Sequence, residues 1–401
     1  MGLLFFALFN SILGLSVLFP VMGPLGRSLH LSETEIGLVS TGYALTQLLF
    51  APLWGRLSET RGRKPVLLVG IVGYAIGFAL FGASIVLAQQ MELPHGLLVG
   101  SMVGARMLGG ALSSATLPTA QALAADLSDQ KSRTAAMGLI GAAFGLAVIF
   151  GPGIGAGIAH FFGLLAPVWL SVGLALANAV LVALRLHEPA RKTRSTHVPA
   201  LWPVAKKVPA LLAVSFVATL SSVAMEQTIA FAFQDRLGLT ADQTPARVGM
   251  GLVAYGIVAV FAQGFLVRRY QIAPRTLVLV GLPIALIGMA LLVFVTSFPM
   301  LVVALTVQGL GQGLVLPGVT SALSLGASDT EQGAIAGLHA SAQGLARLLG
   351  PLVGAHLYQL SGALPYELAA GLLLAALIFV ALSKDVARTH AHAPSAQGAA
   401  P

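Results

Sequence analysis

The chain has 401 residues, of which 57% are apolar and only 9% charged, with a net charge of +8 and no cysteine. So few charges could not cover the surface of a soluble chain of this size, since soluble domains carry about 25%. The missing cysteines exclude a disulfide framework, a thiolate metal site and a thiol nucleophile, and the basic residues are spread over short loops rather than gathered for nucleic acid.

The apolar residues fall into runs of about 20 or more, long enough to cross a bilayer as helices. Helices 1 to 6 are predicted near 3–25, 35–56, 65–89, 96–125, 135–160 and 164–185. The first run has no basic leader and reads as a full-length span, not a cleavable signal. A polar linker over 186–208 separates this unit, 1–185, from a second one over 209–384. Helices 7 to 12 are predicted near 209–233, 246–267, 276–297, 299–325, 334–359 and 364–383. The Ala/Pro-rich tail, 385–401, is expected to be disordered.

Basic residues set the expected orientation. With both termini inside, the cytoplasmic loops hold 17 of the 22 lysines and arginines, from Arg56 to Arg388. The opposite side holds Arg27, Arg236 and Arg247, and two arginines, Arg106 and Arg347, fall inside predicted helices. The linker and both termini are therefore expected in the cytoplasm of a bacterial cell, with the chain in its inner membrane.

One stretch occurs twice. Gly138 to Ala156 reads GLIGAAFGLAVIFGPGIGA, and 199 positions later Gly337 to Ala355 reads GLHASAQGLARLLGPLVGA. Ten of the nineteen aligned positions are identical, among them Gly138, Gly151, Pro152 and Gly155. The second copy places Gly350 and Pro351 where the first has Gly151 and Pro152. Ala147, Gly151 and Gly155 are spaced by four and form one small helical face, which admits a close helix neighbour in lipid. Pro152 lacks an amide donor and crowds the carbonyl of Val148, so a bend is expected there. The recurrence at half the chain length implies two tandem halves of like architecture.

Six helices, a basic linker, six more helices and a half-chain repeat together resemble the major facilitator superfamily, over nearly the whole chain. The segment GRLSETRGRKPVL, Gly55 to Leu67, is similar to its signature between helices 2 and 3, matching at Gly55, Leu57, Gly62, Arg63 and Lys64. It departs at Glu59, where Asp is usual, and at Thr60, where a basic residue is common. The resemblance implies that Glu59 latches this loop to the start of helix 11. The Gly-Pro repeat in helix 5 resembles the motif of the drug/proton antiporter branch, and Arg106 with Gly109 and Gly110 resembles its proton-related arginine motif. Pro20 and Pro24 fit the loose helix 1 motif of that branch, but its acid is missing. Helix 1 offers only Asn10, Ser11 and Ser16. The resemblance implies an all-α membrane protein of 12 transmembrane helices in two pseudo-symmetric six-helix bundles, with helices 1, 4, 7 and 10 lining the cavity.

Glu226 then stands apart, as the one acid far from any predicted loop. About 1.5 Å per residue from Pro209 places it in the outer third of the bilayer. Ser215, Thr219, Ser222 and Glu226 form one polar stripe on helix 7, and such a stripe must face protein or a water-filled cavity. Arg106 begins a second stripe with Gly110 and Ser113, and Gln308 and Gln312 lie one turn apart on helix 10. Burial favours a neutral acid and a nearby arginine favours its charged form, so Glu226 and Arg106 are the expected proton-coupling pair. His339 and His356 on helix 11 could join a proton path. No phosphate loop and no HExxH is present, so ATP-driven pumping and zinc hydrolysis lack support.

The expected function is secondary active transport: proton-coupled export of small apolar or cationic compounds by a monomer. It needs no catalytic residue, metal or cofactor beyond the proton gradient, and its partners are cargo, protons and lipid. The alternatives are an uptake symporter or facilitator for a small polar metabolite, and a lipid or glycolipid flippase of the same fold.

Overall fold

A computed structural model describes residues 2–91, 93–127, 133–188, 201–270, 272–327 and 331–383. The tail at 385–401, and Arg191, Lys192 and Arg194 of the linker, lie outside the described residues. The described residues are almost entirely helical, and eleven helices are long and apolar enough to cross a membrane. These are α1 (Gly2–Ser28), α2 (Glu33–Arg61), α3 (Arg63–Met91), α4 (His95–Asp126), α5 (Arg133–Phe162) and α6 (Ala166–Arg185) in the first half. The second half holds α7 (Pro209–Leu237), α8 (Thr244–Leu266), α9 (Pro274–Phe294), α10 (Phe298–Leu325) and α12 (Leu364–Leu382). Between the last two lies α11 (Gln332–Leu360), 29 residues long. It carries Gln332, His339, Gln343, Arg347 and His356 along its length.

Two helices expected to be continuous are broken. The first stops at Ser16 and resumes at Phe19, and α4 stops at Ser113 and resumes at Thr116. Pro20 and Pro118 explain both breaks, because each removes the donor that would close onto the carbonyl four residues earlier, of Ser16 and Ser114. At α2, Ser32 and Glu35 form a reciprocal capping box that fixes where the helix begins. At the other end, Gly62 turns the chain directly into α3 with φ 103°, a conformation that favours glycine.

Helix pairing repeats under a shift of six. In the first half α1 packs on α5 and α6, α4 packs on α2 and α3, and α3 packs on α6. In the second half α7 packs on α11 and α12, α10 packs on α8 and α9, and α9 packs on α12. The halves meet through α2 with α11, α5 with α8, and α1 with α7.

The repeated Gly-Pro stretch performs the same two tasks in each half. A Cβ at Gly155 would lie 2.0 Å from the Val17 carbonyl oxygen, and one at Gly354 would lie 2.9 Å from the Ala224 Cα. Each copy thus admits the first helix of its own half, α1 or α7, onto its backbone. Across the halves, the Pro152 carbonyl and Ala156 face Gly249 of α8, while the Pro351 carbonyl and Ala355 face Gly37 of α2. Alternation of the spans puts the Gly62 turn and the linker on one face, the linker face. The turns near residues 30, 240 and 362 share the other, the far face.

Candidate functional site

The polar side chains of the second half converge from four helices. Glu226 on α7 is half-buried, and the charge acting on it is Arg347 of α11. Gly350 and Gly354 allow this approach, since Val223 and Ala224 of α7 pack directly against them. Ser222, one turn before Glu226, accepts a hydrogen bond from Gln312 Nε2 of α10 at 2.5 Å. Gln312 Nε2 also donates to the Ala218 carbonyl at 2.7 Å. Tyr255 of α8 pairs with Ser222 and lies in the field of Glu226. Arg347 is exposed, and its guanidinium stands 5.8 Å from the ring of Phe144 on α5. The cluster therefore sits at the seam between the halves. Each charge of the pair is the counter-charge of the other.

The polar stripe of α7 divides by depth in the packing. Ser222 and Glu226 keep some exposure, whereas Ser215 is fully buried and Thr219 is 7% exposed. The Ser215 and Thr219 hydroxyls have no hydrogen-bond partner among the described residues. Gln308 is likewise fully buried, with its backbone pressed against Gly288 of α9. Ser215 and Gln308, expected to line a cavity, lie instead inside helix contacts, because α10 packs on α9 as well as on α7. Asn10 of α1 is half-buried. His339 pairs with Gln343 at 2.7 Å, and His356 stands 3.3 Å from the Thr34 hydroxyl.

Arg106 does not reach Glu226. It is 6% exposed and stacks over Tyr43, Phe78 and Phe81, with its guanidinium carbon 4.4, 4.8 and 5.8 Å from the ring centres. Its Nε and Nη1 have no hydrogen-bond partner among the described residues. Ser113, one helical turn pair further on, meets the Tyr43 hydroxyl at 3.0 Å, and Gln47 donates to that hydroxyl at 3.0 Å. Gly109 and Gly110 bring α4 against the backbones of α3 and α2. The expected coupling pair is thus split: Glu226 belongs with Arg347, and Arg106 belongs to an aromatic box in the other half. Depth along a helix was readable from the sequence, but the direction each side chain takes around it was not.

The loop of the GRLSETRGRKPVL segment is held within its own half. Glu188, just beyond α6, accepts from the amides of Arg63 at 2.5 Å and Lys64 at 2.7 Å, capping α3. Arg63 pairs with Asp126 at the end of α4 at 3.0 Å and donates to Ser58 at 2.6 Å. Lys64 Nζ donates to the Ala183 carbonyl at 2.7 Å. Gly55 has open space around it. Glu59 is exposed and forms no ion pair among the described residues, so its expected latch to α11 is not made in this conformation. Gly138 lies in the part of α5 where only the backbone is described.

At the far face an ionic cluster absent from the sequence reading joins the halves. Arg27 meets both oxygens of Asp235 at 2.5 and 2.9 Å and holds Glu33 at 2.6 Å. The Tyr358 hydroxyl donates to Asp235 at 2.9 Å. These groups border a cavity of about 810 Å³ that also involves Arg236 and Gln359. Only an i,i+6 relation between Arg27 and Glu33 was open to sequence reasoning. Asp235 is 208 residues from Arg27.

The profile of the Major Facilitator Superfamily matches residues 4–288 and 242–401. The chain is 27% identical to "Multidrug resistance protein 1" of Bacillus subtilis (strain 168), over 90% of each chain. It is 23% identical to "Quinolone resistance protein NorA" of Staphylococcus aureus, covering 95% of this chain and 96% of that one. Among solved structures, the human organic anion transporter MFSD10 superposes with a TM-score of 0.67 at 22% identity, covering 94% and 98%. The nucleoside transporter NupG superposes with a TM-score of 0.70 at 12% identity, covering 94% and 97%. At such identities the structural likenesses speak for the fold alone.

Proposed function

The chain belongs to the major facilitator superfamily, and we propose that it exports small apolar or cationic compounds in exchange for protons. The observation that carries this reading is Glu226 on α7 in the field of Arg347 on α11, where Gly350 and Gly354 bring the two helices together beside the seam between halves that are built alike. Full-length similarity to proteins named for multidrug and quinolone resistance supports export as the direction. The membrane is the bacterial inner membrane, with the linker face in the cytoplasm, and the monomer is the working unit.

The mechanism follows from access. The seam between α5 and α8 is tight at the far face and looser toward the linker face. A Cβ at Gly249 would lie 2.3 Å from Ala156 Cβ, but one at Gly145 would meet nothing nearer than Val260 at 4.0 Å. Cargo enters from the linker side while Glu226 is charged. Rocking of the halves then exposes Glu226 to the far side, where proton uptake cancels its charge and weakens both the Arg347 pair and the hold on a cationic cargo. Return and proton release restore the starting state. The scheme obeys the general requirement that proton and cargo bias the same two-state element.

The test is transport in inside-out vesicles with a panel of cationic dyes, antibiotics and metabolites, with and without a pH gradient. Gradient-dependent accumulation of cationic compounds is expected. Accumulation of none, with the protein intact in the vesicle, would remove the export reading.

A further inference from the structure

We propose that Arg27 and Asp235 form an interlock that holds the far face shut and whose release permits that face to open. Arg27 ends α1 in the first half, and Asp235 lies in the last turns of α7 in the second, so their two-pronged contact ties one half to the other. Two parallel hydrogen bonds between a guanidinium and a carboxylate combine strength with fixed geometry. Arg27 also lies 4.9 Å from the Phe231 ring of α7, which adds a second attraction across the same seam.

The arrangement of the remaining partners distinguishes a gate from a permanent staple. Glu33 holds Arg27 from within the first half, and Tyr358 holds Asp235 from within the second. When the halves part, Arg27 keeps Glu33 and Asp235 keeps Tyr358. The bridge breaks together with the Phe231 contact and a 3.4 Å bond from Arg27 to Gln234 Oε1, but neither charge is left bare. Thr34 of α2 reinforces the closed seam through Gln359 and His356 of α11. At the linker face the described ion pairs run within one half, Arg63 with Asp126 and Lys207 with Glu331.

The interlock is read by distance, without cargo, so its failure is distinct from failure of the export reading on which its role in transport rests. The chain lacks cysteine, and spin labels at Leu29→Cys and Thr240→Cys report the far-face opening in lipid nanodiscs. One short distance should dominate in the parent protein. Arg27→Gln and Asp235→Asn should each raise the open fraction roughly tenfold, the scale of a lost charged hydrogen bond. The double variant should open no further than either single one. Glu33→Gln should leave the closed distance dominant, because Asp235 then holds Arg27 alone. Arg27→Lys, which keeps the charge but loses the two-pronged fork, should open the face by a smaller factor and serves if the neutral variants fail to fold, whereas Tyr358→Phe should leave the closed distance dominant, because Tyr358 holds Asp235 in both states. Equal opening by Glu33→Gln and Asp235→Asn, additive effects of Arg27→Gln and Asp235→Asn, or no change with Arg27→Lys would each overturn the interlock.

Discussion

Glu226 and Arg347 stand on adjacent helices of one half, and each is a charge that acts on the other. Removing either leaves its partner without a counter-charge, which is costlier than removing both. Arg347→Gln is therefore expected to lower thermal stability by about 1 kcal/mol, the upper scale for a pair with an exposed member. Adding Glu226→Gln should restore part of that loss. A double variant as unstable as the sum of the singles would uncouple the two.

Glutamine at position 226 keeps the size and hydrogen bonding of the acid but cannot carry a proton. Glu226→Gln is expected to bind cargo and to exchange it downhill. Its gradient-driven export should fall by about a hundredfold, the lower scale for loss of an essential proton carrier. Cargo affinity should also lose its dependence on pH. Full gradient-driven export by this variant would exclude Glu226 from coupling.

Arg106 gives a contrasting expectation. It touches Tyr43, Phe78 and Phe81, not Glu226. Changes at well-separated sites add to within about 0.3–0.5 kcal/mol. Arg106→Gln combined with Glu226→Gln should therefore be additive in stability, unlike the Glu226–Arg347 combination. A thermal-shift cycle on the four proteins distinguishes the two cases.

What the sequence disclosed and what it concealed divide along physical lines. The Gly-Pro repeat was legible because close backbone approach demands small residues in fixed order. Gly151, Gly155 and their later counterparts do meet neighbouring helices at distances no side chain would allow. Glu226 was conspicuous because an acid deep in an apolar run is costly. Its partner was not, since Arg106 and Arg347 are both inside helices and only packing decides which one turns toward it. The Arg27–Asp235 contact was hidden for a similar reason, as both residues looked like ordinary loop charges at span ends. Glu188 looked like one more linker residue, yet it caps α3.

Glu59 and Glu188 separate the two readings of the loop after α2. Glu188 binds two backbone amides, and hydrogen bonds to a charged group contribute about 1.5–3 kcal/mol. Glu188→Ala is expected to lower the thermal stability of the protein by about that much. Glu59→Gln should leave stability unchanged and slow transport, because its partner would form only after the halves rock. A stability loss with Glu59→Gln and none with Glu188→Ala would reverse the assignment.

The basic bias predicts that the linker face is cytoplasmic. Single cysteines at Ser195 and Thr240 in this cysteine-free chain should be labelled from opposite sides by an impermeant reagent in intact cells and in inside-out vesicles. Labelling of both from outside would sink the topology.

The last expectation concerns the seams themselves. Gly249 faces Ala156, and a Cβ there would lie 2.3 Å from the Ala156 Cβ. Gly37 faces Ala355, and a Cβ at Gly37 would lie 2.7 Å from the Ala355 Cβ and 2.8 Å from the Pro351 carbonyl oxygen. The two contacts are equivalent under exchange of the halves, and both sit toward the far face. Overpacking a close helix contact costs about 1–3 kcal/mol, and here that cost applies only while the far face is closed. Gly249→Val and Gly37→Val should therefore fold, lengthen the far-face distance between labels at Leu29→Cys and Thr240→Cys, and slow transport. Gly145→Ala is the control, since its Cβ would meet Val260 at 4.0 Å, an ordinary contact. If the valine variants kept the parent distance while Gly145→Ala changed it, the seams would close by sliding rather than by the direct approach of these backbones.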